Sequence, residues 1–216
     1  MKYKLVCFDL DGTLIDDTVY IWYTLHKHFG VDFSLVKKWH RMFDEGKVTY
    51  EEWFREDIKW WKSAGARKKD FYDALGKIKL MKGAKETIKE LKKRGIKIAI
   101  ISGSLDYVVE HFFPGMFDYV FINKIYFDHR GRISGYEITP YDMEHKATGL
   151  KEIARKHGFE LSECVFVGDN YNDTIAVKTA GLGISFNSSS KELNSAADII
   201  IKKKDLRETW HHIFIS

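Results

Sequence analysis

The sequence Leu5-Val6-Cys7-Phe8-Asp9-Leu10-Asp11-Gly12-Thr13 decides the fold. Its apolar run, followed by a glycine turn, predicts a strand that is buried on both faces and presents Asp9 and Asp11 at its carboxyl end. Because side chains alternate along a strand, the two carboxylates should point to the same side. Like charges this close are costly unless a cation or a shared proton relieves them. The sequence therefore predicts a site for a hard cation such as Mg2+; the alternative is a capped turn that only satisfies local backbone groups.

The composition is that of an ordinary globular protein. The chain has 216 residues, 44% of them hydrophobic and 31% charged, which allows one or two domains and excludes disordered and fibrous proteins. The formal net charge of +4 comes from lysines spread along helical stretches such as 85–97. The sequence has no arginine-rich patch that would predict nucleic-acid binding, and no apolar run long enough to span a bilayer.

The two cysteines, Cys7 and Cys164, bear on whether the protein is found in a reducing or an oxidising compartment. Both lie in apolar, strand-like runs, which favours free buried thiols in a reducing environment over a disulfide. The first residues do not have the pattern of a signal peptide, so we expect a soluble cytoplasmic protein. The absence of glutamine, together with abundant lysine and glutamate, favours a thermophilic source.

Residues 15–79 have a helical pattern. Aromatic and aliphatic residues recur there at helical spacing with charged residues between them, and glycines divide the segment, so we expect four helices. Five of the six tryptophans fall in this segment. Most of them should pack in a core, and one or two could instead face a ligand.

The remainder of the chain alternates between strand-like and helical segments. Buried strands are predicted at 96–101 and 164–167, helices at 84–94 and 144–157, and a hairpin at 124–138. This alternation predicts an α/β fold with a doubly wound, mostly parallel sheet that is covered by helices on both faces. In such sheets, ligands bind beyond the carboxyl ends of the strands.

Three polar clusters follow predicted strands and should meet at that edge: Asp9–Thr13, Ser102–Ser104 and Gly168–Asp173. Asp169 could complete a cation site with Asp9, and the backbone carbonyl of Asp11 is a plausible further ligand. This convergence, more than any single motif, predicts a functional site.

The second cluster suits a phosphate-like anion. We expect Ser102, with the amides of Gly103 and Ser104, to open a helix whose N-terminus binds the anion, and Lys146 to neutralise it. A carboxylate, a divalent cation, a lysine and an anion site together predict phosphoryl transfer.

The two acids of the first motif have distinct candidate roles in that reaction. A carboxylate can itself attack phosphorus and form an aspartyl-phosphate, and Asp9 is the candidate nucleophile. Asp11 is then the general acid that protonates the leaving alcohol, and later the base that activates water.

In order and spacing, these motifs resemble the four motifs of the haloacid dehalogenase superfamily of phosphatases, represented here by Asp9–Thr13, Ser102, Lys146 and Gly168–Asp173. The resemblance covers nearly the whole chain, and its nearest subgroup is the phosphoserine phosphatase-like enzymes. It implies a Rossmann-like catalytic core formed by residues 1–14 and 80–216. Residues 15–79 would form a small, all-helical cap over the strand ends.

The resemblance also implies a role for each matching residue. Asp9 would be the nucleophile and Asp11 the acid and base, with Thr13 orienting Asp11. The implied Mg2+ ligands are Asp9, the Asp11 carbonyl and Asp169; the implied phosphate-binding residues are Ser102, Gly103, Lys146 and Asn172. Asp173 would support Lys146 and the waters of the metal ion.

The chain departs from the phosphoserine phosphatase pattern in the cap. Thr18 stands where those enzymes have a glutamate for the substrate ammonium, and Asp57 stands where they have an arginine for the carboxylate, with Arg55 two residues earlier. Each lost charge-assisted hydrogen bond is worth roughly 1.5–3 kcal/mol. We therefore expect poor binding of a zwitterion and a substrate that is not restricted to phosphoserine.

Three functions remain open. The leading one is Mg2+-dependent hydrolysis of a small phosphorylated metabolite by a monomer or dimer that binds neither nucleic acid nor membrane. Phosphoserine phosphatase proper, or transfer to another acceptor as in a phosphomutase, is the alternative. A phosphate-binding module without activity is disfavoured because it would not need Asp11, and a dehalogenase is disfavoured because that chemistry replaces the second acid of the motif.

Overall fold

The computed structural model describes residues 2–16 and 20–215. Within these ranges the strands are β1 (Leu5–Phe8), β2 (Ile15–Asp16), β3 (Lys79–Leu80), β4 (Lys97–Leu105), β5 (Tyr119–Phe127), β6 (Ile133–Glu137), β7 (Cys164–Gly168), β8 (Leu182–Phe186) and β9 (Ile199–Ile201). The α-helices are α1 (Ile21–His28), α2 (Phe33–Asp44), α3 (Tyr50–Ser63), α4 (Lys68–Leu75), α5 (Ala84–Lys93), α6 (Asp106–Phe112), α7 (Lys146–His157), α8 (Thr174–Thr179), α9 (Lys191–Ala196) and α10 (Trp210–Phe214). In these ranges every helix is too short or too polar to cross a membrane.

A seven-stranded sheet in the described part of the chain has the order β6-β5-β4-β1-β7-β8-β9. β5 and β6 are antiparallel, and the other neighbouring strands are parallel. β1 lies in the middle, where Leu5 is opposite both Lys97 of β4 and Cys164 of β7. The predicted α/β fold with a mostly parallel sheet is confirmed.

The two faces of β1 belong to two hydrophobic clusters. Val6 and Phe8 face the larger cluster, which continues into the helices between residues 21 and 75. Leu5 and Cys7 face a smaller cluster under α7, α8 and α9. Because both faces are covered, all four residues of the strand are apolar and buried. Cys7 and Cys164 are buried free thiols, as predicted.

The segment between β2 and β3 contains α1, α2, α3 and α4, so the expected four helices are found among its described residues. β2 and β3 pair antiparallel as a separate two-stranded sheet at the two ends of the segment. Strands of two residues are too short to give an alternating pattern in the sequence. Of the five tryptophans here, Trp61 is fully buried and the others are partly exposed. The expectation that most of them pack in the core was therefore too broad.

The strand β4 is longer than predicted. It continues through Ser102–Ser104 to Leu105, with a register shift against β5 after Ile101, and α6 begins only at Asp106. The prediction that Ser102–Ser104 opens a helix is therefore wrong. The Asp106 carboxylate accepts hydrogen bonds from the amides of Tyr107 and Ile125, which fixes the start of the helix after the strand.

Candidate active site

The three polar clusters meet at the carboxyl edge of the sheet. Asp9 follows β1, Ser102 lies near the end of β4, and Asp169 follows β7. Together they line a cavity of about 310 Å³. The other predicted site residues on its wall are Asp11, Gly103, Lys146 and Asn172.

Three carboxylates form a compact cluster at the base of this cavity. Asp9, Asp169 and Asp173 each have an oxygen within 4.8 Å of the others. The Asp9 Oδ1 atom is buried and lies within ion-pairing distance of Lys146, but it accepts no hydrogen bond of good geometry. Burial, together with the charges of Asp9 and Asp173, raises the pKa of Asp169 well above its usual value. An all-oxygen cluster of this kind fits a hard divalent cation, which would relieve the repulsion between the acids.

Lys146 is the buried cation beside these acids. It is the first residue of α7, is 1% exposed, and places its Nζ atom 3.1 Å from Asp9 Oδ1 and 2.7 Å from Asp173 Oδ1. Burial opposes its charge, but Asp173 and Asp9 outweigh that effect and hold the pKa of Lys146 above its usual value. Lys146 is therefore a fixed positive charge next to Asp9.

Asp173 connects this lysine to the loop after β7. Its Oδ2 atom accepts hydrogen bonds from the amides of Asp169, at 3.0 Å, and Asn170, at 3.1 Å. A β-carbon at Gly168 would lie 2.3 Å from Asp173 Cγ, so the glycine at the end of the strand makes room for this carboxylate. Asp173 thus positions both Lys146 and the Asp169 backbone.

The Asp11 side chain lies apart from the acid cluster. Its Oδ2 atom accepts a hydrogen bond from the Ile21 amide, at the start of α1, and its Oδ1 atom accepts one from the Ser104 hydroxyl. Burial raises the pKa of Asp11 to about 7, although both hydrogen bonds oppose the rise. A carboxyl group with this pKa can both donate and accept a proton near neutral pH.

Thr13 makes a different contact from the one that the resemblance implied. Its hydroxyl donates to Asp169 Oδ1 at 2.9 Å, and Ser104 and the Ile21 amide hold Asp11 instead. The tight turn that returns the chain to Leu10, through the amides of residues 13–15, directs Thr13 towards β7. Thr13 therefore supports the acid cluster.

The predicted phosphate-binding residues lie on strand and loop. Because α6 starts beyond them, the Ser102–Ser104 amides do not form a helix N-terminus, and that part of the prediction is corrected. Ser102 is buried, and its Oγ atom accepts a hydrogen bond from the Ser104 amide at 3.2 Å, which leaves the hydroxyl proton to donate to an anion. Asn172 also lines the cavity, and its Oδ1 atom accepts no hydrogen bond.

Sequence reasoning missed Asp142. It lies four residues before Lys146, is 7% exposed, and its Oδ2 atom accepts a hydrogen bond from the Tyr50 hydroxyl at 2.6 Å. It begins a 3-10 turn, Met143–His145, but its side chain makes no capping hydrogen bond and lines the cavity instead. An acid just before a predicted helix is usually interpreted as a helix cap, so the sequence did not indicate that Asp142 lines the cavity.

The substrate-recognition positions noted between residues 15 and 79 lie in three different settings. Asp57 of α3 lines the cavity and is 4% exposed. Arg55 is paired with Glu51 at 2.8 Å on the outer face of the same helix, with 58% of its side chain exposed, and is outside the cavity lining. Thr18 lies outside the described residues.

Comparison with known proteins gives one matching family and relatives that share one activity. Residues 3–181 match the haloacid dehalogenase-like hydrolase family. The phosphoserine phosphatase of Methanocaldococcus jannaschii is 34% identical over 215 residues, 98% of each chain. That of Archaeoglobus fulgidus is 33% identical over 207 residues, which are 94% of this chain and 58% of the relative.

Solved structures agree with the sequence relatives. A substrate-bound phosphoserine phosphatase complex is similar over 99% of both chains, with a TM-score of 0.79 and 32% identity. A phospho-aspartyl intermediate analogue of phosphoserine phosphatase is similar over 99% of this chain and 100% of the other, with a TM-score of 0.77 and 33% identity.

Proposed function

The chain belongs to the haloacid dehalogenase-like hydrolase family and is a phosphatase, and on this basis we propose that it hydrolyses a small phosphomonoester through an aspartyl-phosphate on Asp9. One observation carries the proposal. The Asp9 carboxylate lies in the cavity between the Lys146 ammonium, 3.1 Å away, and the Asp169 carboxylate of the acid cluster. This is a carboxylate positioned beside a fixed positive charge and a candidate cation site.

We assign the metal site to Asp9, Asp169 and the backbone carbonyl of Asp11, and Mg2+ to that site. The bound ion would neutralise negative charge on the phosphoryl oxygens of the substrate. Asp173 would remain paired with Lys146 and hold the loop that carries Asp169.

In the first step, an oxygen of Asp9 attacks phosphorus while the ester oxygen departs as an alcohol. Ser102, Lys146 and Asn172 would bind the non-bridging oxygens of the phosphoryl group. Asp11, with its pKa near neutrality, donates the proton that the leaving alkoxide needs.

In the second step, water hydrolyses the aspartyl-phosphate. Asp11, now a carboxylate, removes a proton from the water as its oxygen attacks phosphorus. The bond between phosphorus and Asp9 breaks, inorganic phosphate leaves, and both aspartates return to their starting states. The same group therefore acts as acid and then as base.

The helical segment closes the cavity from above in this proposal. Trp22 of α1 donates its indole N–H to the Gly103 carbonyl at 3.0 Å, and Tyr50 of α3 donates to Asp142. These contacts join residues 15–79 to the strand ends and support their proposed role as a cap that limits the access of water.

Phosphoserine is the second candidate substrate, because the two relatives and two structures above are phosphoserine phosphatases. The acidic side chain at Asp57 argues for a broader or different specificity.

The proposal is tested with a panel of phosphorylated metabolites, assayed with Mg2+ and after chelation, and read by released inorganic phosphate. We expect metal-dependent phosphate release by the wild-type protein. The Asp9→Asn variant should lose on the order of 10³-fold or more in turnover with its fold intact. Rearranged sugar phosphate without free phosphate would instead identify a phosphomutase, and substantial turnover by Asp9→Asn would exclude Asp9 as the nucleophile.

A further inference from the structure

Helices α1 and α3 supply an aromatic wall to the cavity. Its walls include Trp22 of α1 and Tyr50, Trp53 and Phe54 of α3. Trp22 packs edge-on against Phe54, with ring centroids 4.8 Å apart, and stacks on the buried Trp61 at 5.1 Å. Rings fixed in this way present a preformed surface to the part of the substrate that is not phosphate.

Two buried acids contribute to the same wall: Asp57 belongs to α3, and Asp142 accepts a hydrogen bond from Tyr50 and lies against Gly103. Asp57 is 4% exposed and Asp142 is 7% exposed, and in each the Oδ1 atom accepts no hydrogen bond. Both line the cavity. Burial is the main reason that the pKa of Asp57 is raised well above its usual value. Unsatisfied buried carboxylate oxygens are costly, so each is a candidate contact for a ligand.

The nearest basic group to Asp57 does not satisfy it. His26 Nε2 lies 3.4 Å from Asp57 Oδ1, but burial lowers the pKa of His26 to about 4, so the ring is neutral near pH 7. The Trp61 indole donates to His26 Nδ1, which places the remaining proton on Nε2. Among the described residues, Asp57 thus faces a neutral donor at long range and has no lysine or arginine within ion-pairing distance.

A carboxylate group of a substrate would find no suitable partner here. Among the described residues that line the cavity, Lys146 is the one lysine or arginine, and it already lies between Asp9 and Asp173. His40 is half exposed at the cavity wall, and its Nδ1 atom is 3.5 Å from Asp44. With these acids, and with no second arginine or lysine among the described lining residues, this wall of the cavity is unfavourable for an anion.

We propose that this aromatic, acidic wall of the cavity binds a cationic group, with Asp57 as the residue that determines specificity. The substrate class is then a phosphomonoester of an amino alcohol that lacks a carboxylate. The inference rests on the proposed phosphatase function and adds the chemistry of the leaving group.

An ammonium group fits this environment better than a hydroxyl group. A hydroxyl would supply one hydrogen bond to an unsatisfied oxygen, but it brings no charge that would stabilise the ionised form of Asp57 against its burial. An ammonium group supplies hydrogen bonds and charge together, and it is attracted to the faces of tryptophan and tyrosine rings.

The test compares three esters that share a two-carbon backbone at the phosphate: 2-aminoethyl phosphate, 2-hydroxyethyl phosphate and phosphoserine. p-Nitrophenyl phosphate measures general phosphatase activity. We expect kcat/KM for 2-aminoethyl phosphate to exceed the values for the other two esters about tenfold or more. In Asp57→Asn the preference for the amino ester over the hydroxy ester should fall towards unity.

Glu56→Gln is the matched control, because it removes one negative charge from the same helix at a residue outside the cavity lining. It should keep the preference. A ratio between two substrates, measured on one preparation, does not depend on the fraction of folded protein, so a partly unfolded Asp57→Asn sample still gives a result.

The outcomes separate the two proposals. Hydrolysis of p-nitrophenyl phosphate with equal values for the amino and hydroxy esters, or with a preference for phosphoserine, overturns the cationic specificity and leaves the phosphatase function in place. A preference that survives in Asp57→Asn removes Asp57 as its determinant. No release of phosphate from any ester overturns the proposed function, and this inference with it.

Discussion

Gly12 lies directly against the Asp169 carboxylate: a β-carbon built on Gly12 would be 2.2 Å from Asp169 Oδ2. The glycine also has φ +77, in the left-handed region. The loop after β1 and the loop after β7 therefore approach more closely than any other residue at position 12 would allow. This contact brings Asp9 and Asp169 together.

Gly12→Ala should consequently impair the site more than the fold. We expect a loss of about 1–2 kcal/mol in the free energy of unfolding from the left-handed backbone, and a much larger fall in kcat because Asp169 must move. Gly65→Ala is the control, since Gly65 has φ +74 and nothing within 4 Å of the added carbon. Equal losses of activity in the two variants would contradict this prediction; kcat and thermal melting measure it.

The acid cluster predicts that a divalent cation stabilises the folded protein. Mg2+ should raise Tm, because binding to the folded state alone adds to stability by mass action. In Asp169→Asn the rise should be largely lost, since one of the three clustered carboxylates is removed. Asp73→Asn, which changes an exposed acid of α4, is the control. An undiminished rise in Asp169→Asn would exclude Asp169 as a ligand.

Local signals explain how much of this site could be predicted from the sequence. β1 and β7 are short apolar runs that end directly in acidic residues, and parallel strands place their carboxyl ends together. The convergence of Asp9 and Asp169 follows from these two facts. Lys146 lies at the start of α7, and its place beside them was predicted from its position near a helix start.

The features of the site that the sequence did not predict depend on contacts between distant parts of the chain. Tyr50 and Asp142 are 92 residues apart, and no local pattern relates them. β4 continues through Gly103 because pairing with β5 shifts after Ile101, which is a property of the packed sheet. Thr13 turns towards Asp169 for a similar reason, since the target of its hydroxyl is 156 residues away.

Asp11→Asn should separate the two chemical steps. With p-nitrophenyl phosphate the leaving group needs no proton, so Asp9 should still be phosphorylated and release about one equivalent of nitrophenol in a burst. Steady turnover should then be slow, because no base activates water. Asp9→Asn should give no burst. Steady turnover at the wild-type rate in Asp11→Asn would contradict the role of Asp11 as acid and base, and stopped-flow absorbance makes the measurement.

His26 predicts an acid limit to the stability of the folded protein. Its pKa is lowered by burial from 6.5 to about 4, so the unfolded chain takes up the proton first as the pH falls. The stability that His26 contributes is therefore complete above pH 6.5 and is lost between pH 6.5 and 4, to an extent of about 3 kcal/mol.

His26→Gln should flatten the pH dependence of the free energy of unfolding across this interval. His28→Gln, at an exposed position of α1, should leave it unchanged. Asp57 is present in all three proteins, and because its pKa is raised, its contribution to stability grows as the pH falls. The measurement is the free energy of unfolding in urea at pH 7 and at pH 5. The loss between these pH values that the wild-type protein shows and His26→Gln lacks is the contribution of His26. Parallel pH profiles for the wild-type protein and His26→Gln would show that the buried ring is not the group that titrates.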